Sequence, residues 1–151
     1  MIYLAEKAGE LVPTETKARG RVSQWLLFQV GGVGPMMGQA SGFYRYSPEK
    51  YQPVIDRYQN ESPHSCEIVD RQLKSSERLA ENYSIADIAN WCWIRCYQCS
   101  GFSIDSLNDL KRWLNATDNR KACQKCIHIP PKEEEVSDLV RAEKISRFVQ
   151  I

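Results

Sequence analysis

The sequence predicts an all-α fold, and three observations support this prediction. Apolar residues recur every three or four positions along most of the chain, which is the period of a helix packed on one face. Ser84 and Asp87 have the spacing of a helix capping box. No stretch alternates apolar and polar residues over the length of a β-strand. At 151 residues, the chain has the length of a single domain.

The composition argues against several classes of function. Twenty Lys and Arg residues against nineteen Asp and Glu residues give a formal net charge of +1, which leaves no excess positive charge for nucleic-acid phosphates. The longest apolar runs are far shorter than the roughly 18 residues of a membrane-spanning helix. The N-terminus has no basic leader followed by an apolar core. We therefore expect a cytoplasmic protein with free cysteines and with no nucleic-acid or membrane partner.

The first long helix is predicted to begin at Pro13 and Thr14, with Thr14 as its N-cap. It runs into a glycine-rich stretch at residues 31–38. Glycine allows close backbone approach, and Pro35 lacks an amide donor, so a kink or a helix end is expected there. The apolar residues at helical spacing are Ala18, Val22, Trp25, Leu26, Phe28 and Val30.

A connecting loop is expected at residues 42–48, before the second long helix. Ser47 is the predicted N-cap of that helix, with Pro48 at its first helical position. Proline in a helix interior costs about 3 kcal/mol. Pro63 is therefore expected to kink this helix or to divide it into two shorter ones.

The strongest local signal begins the third long helix. The Ser84 side chain is placed to cap a first-turn amide, and the Asp87 carboxylate to reach back to the Ser84 amide. Apolar residues then occur on nearly every side of the helix, which predicts a central, buried position. Gly101 suits the left-handed conformation after its end. All four tryptophans, Trp25, Trp91, Trp93 and Trp113, are assigned to the core.

Two short helices and a tail complete the predicted elements. The short helices are expected at residues 106–114 and 121–127, before two prolines at 130–131. In the tail, three glutamates precede apolar residues at helical intervals, which is typical of an amphipathic helix with its negative charges at the N-terminus. The sequence thus predicts a terminal amphipathic helix within residues 131–151.

Four stretches in fixed order carry a resemblance to a known family. They are residues 24–39, 55–59, 81–89 and 110–114. Together they resemble the C-terminal helical domain of glutathione transferases, and most closely the Nu-class branch of glutathione-dependent disulfide-bond oxidoreductases. The resemblance implies a helical bundle of that type at residues 14–130. It also implies that residues 1–13 are the end of a thioredoxin-like domain and a linker, and leaves the 131–151 tail unmatched.

The resemblance implies a shortened member of this family. In the family, a thioredoxin-like first domain supplies most contacts to glutathione, and this chain begins where that domain stops. We expect a truncated protein that is inactive alone, with glutathione conjugation or glutathione-dependent disulfide reduction as the family chemistry. No cofactor is expected, and glutathione is the co-substrate if the first domain is supplied. The alternative is a non-catalytic helical module for dimerisation or partner binding, so whether the chain is an enzyme stays open.

The expected partners are a second copy of the chain, in a homodimer, and a separate thioredoxin-like domain. The resemblance implies that Arg57 reaches the carboxylate of glutathione across the dimer, since a guanidinium binds a carboxylate through two hydrogen bonds. The alternative is a solvated arginine paired with Asp56 or another neighbour. Gly34, Met37 and Phe43 are expected near the cleft between the two domains. The alternative explanation of these residues is tight helix packing, with methionine filling gaps between the helices. No catalytic residue is assigned.

The cysteines suggest a different kind of site. Cys96 and Cys99 form one Cys-x-x-Cys pair, and Cys123 and Cys126 form a second, which is a spacing that zinc sites use. However, Cys92, Cys96 and Cys99 also follow helical spacing, where free cysteine behaves as a small core residue. No metal is therefore expected, and zinc is kept as an alternative.

A redox function is a further alternative for the cysteine pairs. It requires a helix N-terminus or a nearby cation that lowers a thiol pKa. The pair at Cys123 and Cys126 is the better candidate because Arg120 and Lys121 precede it.

Overall fold

Seven α-helices make up the fold over residues 1–129, the part of the chain that the computed structural model describes. They are α1 (Ile2–Ala8), α2 (Thr16–Phe28), α3 (Gly34–Ser41), α4 (Gln52–Leu73), α5 (Ile85–Ile94), α6 (Asn108–Asp118) and α7 (Lys121–Cys126). These residues contain no β-strand, which confirms the predicted all-α fold. No helix among them is long and apolar enough to span a membrane. The predicted helix within residues 131–151 lies outside the described part of the chain.

Helix α2 is capped by Glu15 instead of the predicted Thr14. The Glu15 carboxylate accepts hydrogen bonds from the amides of Lys17, at 2.8 Å, and Ala18, at 2.6 Å. These two hydrogen bonds hold the pKa of the Glu15 carboxyl below its ordinary value. The side chain satisfies two amides that a helix start leaves without partners. The predicted cap was therefore misplaced by one residue.

The glycine-rich stretch ends α2 without interrupting the helical backbone. A π-helical turn at Gln29–Val33 connects α2 to α3, and Pro35 lies in the first turn of α3. The missing amide of Pro35 thus lies where π-helical hydrogen bonding changes to α-helical hydrogen bonding. A second π-helical turn occupies Gly42–Tyr46, where the sequence predicted a loop.

Helix α4 departs from the sequence prediction at its start and its middle. It begins at Gln52, so Ser47 does not cap it; the Ser47 hydroxyl donates to the carbonyl of Glu49 at 2.7 Å. The helix then continues through Pro63 for 22 residues, so the expected division into two helices was wrong. Tertiary packing offsets the cost of the proline, because buried residues anchor the helix on both sides of it. These are Ile55, Ser62, Ser65, Cys66, Val69 and Leu73.

Helix α5 starts at the capping box. The Asp87 carboxylate accepts from the Ser84 amide at 3.0 Å, and the Ser84 hydroxyl accepts from the Ala86 amide at 3.3 Å. Asp87 is fully buried and also accepts from the Leu79 amide at 3.2 Å and the Trp113 indole at 2.8 Å. One carboxylate thus joins α5, α6 and the segment before α5.

Helix α5 is buried on most of its surface but not on all of it. It packs against α2, α3 and α6, and Trp91 and Asn90 are fully buried. Trp93 is 40% exposed, so its assignment to the core was wrong. The helix ends at Ile94, and a 3₁₀ helix at Tyr97–Ser100 follows. Gly101 then adopts the predicted left-handed conformation, with φ 79°.

Candidate functional site

An open groove of about 380 Å³ lies beside the exposed indole of Trp93. Helix α5 supplies the indole, and α3 and the π-helical turn before it supply the opposite wall. Val30, 58% exposed, adds an apolar side chain at the rim. The residues that line the groove are Gln29, Val30, Gly34, Pro35, Gly38, Gln39 and Trp93. We call this feature the Trp93 groove.

Two glycines allow the indole to lie along α3. A Cβ atom at Gly34 would come within 2.6 Å of the Gln29 side-chain nitrogen and 3.4 Å of the Trp93 ring. A Cβ atom at Gly38 would lie 3.4 Å from two carbons of the same ring. The glycine spacing in this stretch therefore serves a close approach between a helix backbone and an aromatic ring.

Of the three residues expected to line a cleft, only Gly34 belongs to the Trp93 groove. Met37 is 1% exposed and lies in the hydrophobic core. Phe43 is half-buried and stacks on Tyr58, with ring centroids 6.0 Å apart and planes 5° from parallel. The position of these residues in a cleft between two domains stays a prediction.

Arg57 is exposed on α4 and has no partner among residues 1–129. It makes no hydrogen bond or ion pair with this part of the chain, and Asp56 instead accepts from the Gln52 side chain at 2.7 Å. The pairing with Asp56 is therefore not formed, although the exposed guanidinium is solvated, as the alternative explanation of Arg57 also expects. A guanidinium without an internal partner is free to bind a carboxylate from outside.

The cysteines do not come together as a metal site. Among residues 1–129, no group of three or more His, Cys, Asp or Glu side chains is arranged to hold a metal ion. Of the four candidate ligands, Cys123 is 4% exposed, and its sulfur lies 3.7 Å from the Tyr83 hydroxyl. The Cys126 thiol donates to the Cys123 carbonyl at 3.2 Å, and Cys96 and Cys99 lie in the turn after α5.

The cation near each cysteine pair differs from the sequence prediction. The Arg120 guanidinium lies over the Tyr83 ring, 3.5 Å from its centroid. At the other pair, Arg45 donates a hydrogen bond to the Cys99 sulfur at 3.2 Å. These two residues are 54 positions apart, so no local sequence pattern could indicate the contact. The pair at Cys96 and Cys99, which the sequence favoured less for a redox function, is therefore the one in which an arginine contacts a sulfur atom.

Burial distinguishes two further thiols. Cys66 is fully buried in α4, and burial raises the pKa of its thiol to about 12, with a smaller contribution from Glu67. Partial burial also raises the pKa of the Cys92 thiol above its ordinary value. A protonated thiol is a poor nucleophile, so neither position favours thiol chemistry.

Known proteins resemble this chain over most of its length. No family model matches the chain. The chain is 37% identical over 123 residues to the disulfide-bond oxidoreductase YfcG of Escherichia coli, covering 81% of this chain and 57% of that protein. It is 31% identical over 134 residues to the disulfide-bond oxidoreductase YghU of the same organism, covering 83% of this chain and 46% of that protein.

Two solved structures share the fold. A glutathione transferase from Burkholderia graminis, with two glutathione molecules bound per subunit, matches with a TM-score of 0.80 and 32% identity. The match covers 87% of this chain and 58% of that one. A glutathione transferase from Pseudomonas putida, with one glutathione disulfide bound per subunit, matches with a TM-score of 0.79 and 38% identity. That match covers 85% of this chain and 59% of the other.

The chain spans about half the length of the curated relatives that it matches. Within that span, the order of helices and the sequence identity agree with the C-terminal portion of glutathione transferases. The chain is therefore an all-helical region of the glutathione transferase C-terminal type, homologous to the glutathione-dependent disulfide-bond oxidoreductases.

Proposed function

We propose that this chain provides the helical half of a glutathione-dependent enzyme that conjugates glutathione or reduces disulfides with it. In this proposal, a thioredoxin-like domain, on the same polypeptide or on another, supplies the remaining glutathione contacts. The observation that carries the proposal is the uncovered apolar surface at the Trp93 groove, on a chain homologous to about half of larger glutathione proteins. Such surfaces on soluble domains usually mark an interaction site.

A second uncovered apolar surface lies at the N-terminus. Tyr3 and Leu4 of α1 are 69% and 66% exposed, whereas Ala5 is buried in the core. An amphipathic helix with exposed apolar residues gains stability when a further element covers them. This surface supports the interpretation of α1 as the end of a thioredoxin-like domain, whose remaining elements would cover it.

Arg57 is the proposed glutathione contact of this chain. Glutathione carries carboxylates, and an exposed guanidinium without an internal partner is suited to bind one of them. We propose that the contact is made across a homodimer, so each subunit contributes an arginine to the site of its partner. The site would then need both the first domain and a second copy of the chain.

A second candidate function is a non-catalytic module for dimerisation or partner binding. The same Trp93 groove favours it, since an apolar groove serves a partner chain as well as an adjoining domain. All six cysteines are unpaired, and for either function we propose a cytoplasmic, reducing location.

Assays of the purified chain test the dependence on a first domain. We expect no appreciable glutathione conjugation, because in this proposal it is the thioredoxin-like domain that places the glutathione sulfur. The Pseudomonas putida relative, assayed in parallel, is the positive control. Turnover by the chain alone at a rate comparable to that of the relative would overturn the proposal.

A further inference from the structure

Cys96 and Cys99 close a single turn after α5. The amide of Cys99 donates to the carbonyl of Cys96 at 2.9 Å. In a 3₁₀-type turn, side chains three positions apart lie over one another, and the rise of the turn places their Cα atoms about 6 Å apart. A disulfide requires a Cα separation of roughly 4.4–6.8 Å. The Cα separation of this turn therefore lies within the range that a Cys96–Cys99 disulfide requires.

The turn is fixed to the rest of the fold by a buried serine. The Ser100 hydroxyl lies 2.9 Å from the Ser41 hydroxyl, and the Ser100 carbonyl accepts from the Gln59 side chain at 3.1 Å. Ser100 is fully buried, whereas Cys96 is exposed and Cys99 is half-buried. These contacts hold the inner side of the turn, while both cysteines keep part of their surface exposed.

Arg45 adds a positive charge to this pair. Its guanidinium donates to the Cys99 sulfur at 3.2 Å. Thiol–disulfide exchange proceeds through an anionic sulfur nucleophile, which an adjacent cation stabilises. The same charge attracts a disulfide that carries carboxylates. Both effects act at Cys99 and not at Cys96.

The other four cysteines do not combine an exposed position with an arginine that contacts the sulfur. Cys66 is fully buried, and Cys123 is nearly so. Cys92 and Cys126 are exposed, but neither has an arginine on its sulfur among the contacts of residues 1–129. The pair in the turn is thus the best placed of the six thiols for exchange.

We propose that Cys96 and Cys99 form a redox-active dithiol that exchanges with small anionic disulfides such as glutathione disulfide. The Cys99 thiolate attacks one sulfur of the disulfide, so the substrate S–S bond breaks, a mixed disulfide forms on Cys99, and one thiolate leaves. Cys96 then loses its proton and attacks the Cys99 sulfur, which releases the second thiolate. The two protein thiols are oxidised by two electrons to the Cys96–Cys99 disulfide, and the substrate is reduced to two thiols that take up the two protons.

This exchange needs no first domain, so it stands apart from the proposed glutathione enzyme. The test treats the full chain with glutathione disulfide, blocks the remaining thiols by alkylation and maps the peptides by mass spectrometry. We expect the wild type to lose two thiols to a Cys96–Cys99 disulfide. Cys96→Ser removes the resolving thiol and should trap one glutathionyl group on Cys99. Cys126→Ser, which changes an exposed cysteine of the other pair, should leave the Cys96–Cys99 disulfide unchanged.

Arg45 is tested by the rate of trapping in the Cys96→Ser background. We expect Arg45→Met to slow trapping at neutral pH about threefold, because it removes the cation that contacts the Cys99 sulfur. Arg45→Lys should restore part of the rate. An unchanged rate would remove Arg45 from the mechanism. A wild type that keeps all its thiols, a disulfide between other cysteines, or an adduct away from Cys99 would overturn the proposal.

Discussion

A single carboxylate, that of Asp87, fixes the centre of this molecule. It is fully buried, and its hydrogen-bond donors come from the start of α5, from the Leu79 amide and from the Trp113 indole of α6. Burying an isolated carboxylate is costly unless hydrogen bonds replace its water. Here neutral donors provide those hydrogen bonds, so the position is structural and has no need of a neighbouring cation.

Substitutions of Ser84 and Asp87 should lower the free energy of unfolding by different amounts. Ser84→Ala removes one cap and should lower the free energy of unfolding by about 1 kcal/mol. Asp87→Ala also leaves the Leu79 amide and the Trp113 indole without an acceptor, at about 1–3 kcal/mol each, so the loss should reach about 3 kcal/mol or more. Urea unfolding measures both. Ser103→Ala, which affects only two exposed hydrogen bonds with Asp105, should have little effect. Equal losses for Ser84→Ala and Asp87→Ala would contradict this role of Asp87.

The buried thiol of Cys66 should make the folded chain less stable as the pH becomes alkaline. Its pKa is raised from 9.0 to about 12 in the folded chain, chiefly by burial. The unfolded chain therefore releases this proton first as the pH rises, so the stabilisation is complete below pH 9 and is lost towards pH 12. We expect this group to cost about 1.4 kcal/mol of stability between about pH 8 and pH 10. Cys66→Ala should lose correspondingly less than the wild type between these pH values, and an equal loss would contradict the assignment.

At the scale of helices, sequence signals located most elements but not their details. The capping box at Ser84 and the glycine at Gly101 lie where the structure uses them, because both act through neighbouring residues. The continuity of α4 through Pro63 depends on packing against distant residues, which no local propensity contains. The exposure of Trp93 likewise depends on which sides of α5 other helices cover.

The candidate site was predictable only in part for the same reason. Arg57 could be selected through a family resemblance, and its lack of an internal partner emerges only from the fold. The contact between Arg45 and Cys99 joins positions 54 apart and has no sequence signature. Gly34 lies beside an open groove, whereas Met37 is buried in the core because α3 presents only one face to that groove.

The π-helical turn before α3 offers a matched pair of glycine substitutions. Gly34→Ala places a Cβ atom 2.6 Å from the Gln29 side chain and 3.2 Å from its backbone oxygen, so we expect a loss of about 1–2 kcal/mol from overpacking. Gly31→Ala has no atom within 4 Å of the new Cβ and should stabilise the protein by about 0.5–1 kcal/mol through lower unfolded-state entropy. Thermal melts compare the two variants. Similar shifts of the same sign would mean that the close approach at Gly34 does not constrain the fold.

At the scale of the whole molecule, the described residues include two uncovered apolar surfaces and an exposed arginine without an internal partner. The surfaces lie on α1 and at the Trp93 groove, and the arginine is Arg57 on α4. Longer homologues bind glutathione or its disulfide. These features favour a helical half that acts with a further domain and a second subunit, over a module that works alone.

The most direct test joins this chain to the portion of the Pseudomonas putida relative that precedes the matched region. Glutathione conjugation, which the Cys96–Cys99 dithiol does not perform, is then measured for this chimera, for its Arg57→Met variant and for the 151-residue chain alone. We predict turnover by the chimera, a rise in the KM for glutathione in the Arg57→Met variant, and no turnover by the chain alone. A folded but inactive chimera would contradict the enzyme account and leave the non-catalytic module, and activity of the chain alone would contradict the need for a first domain.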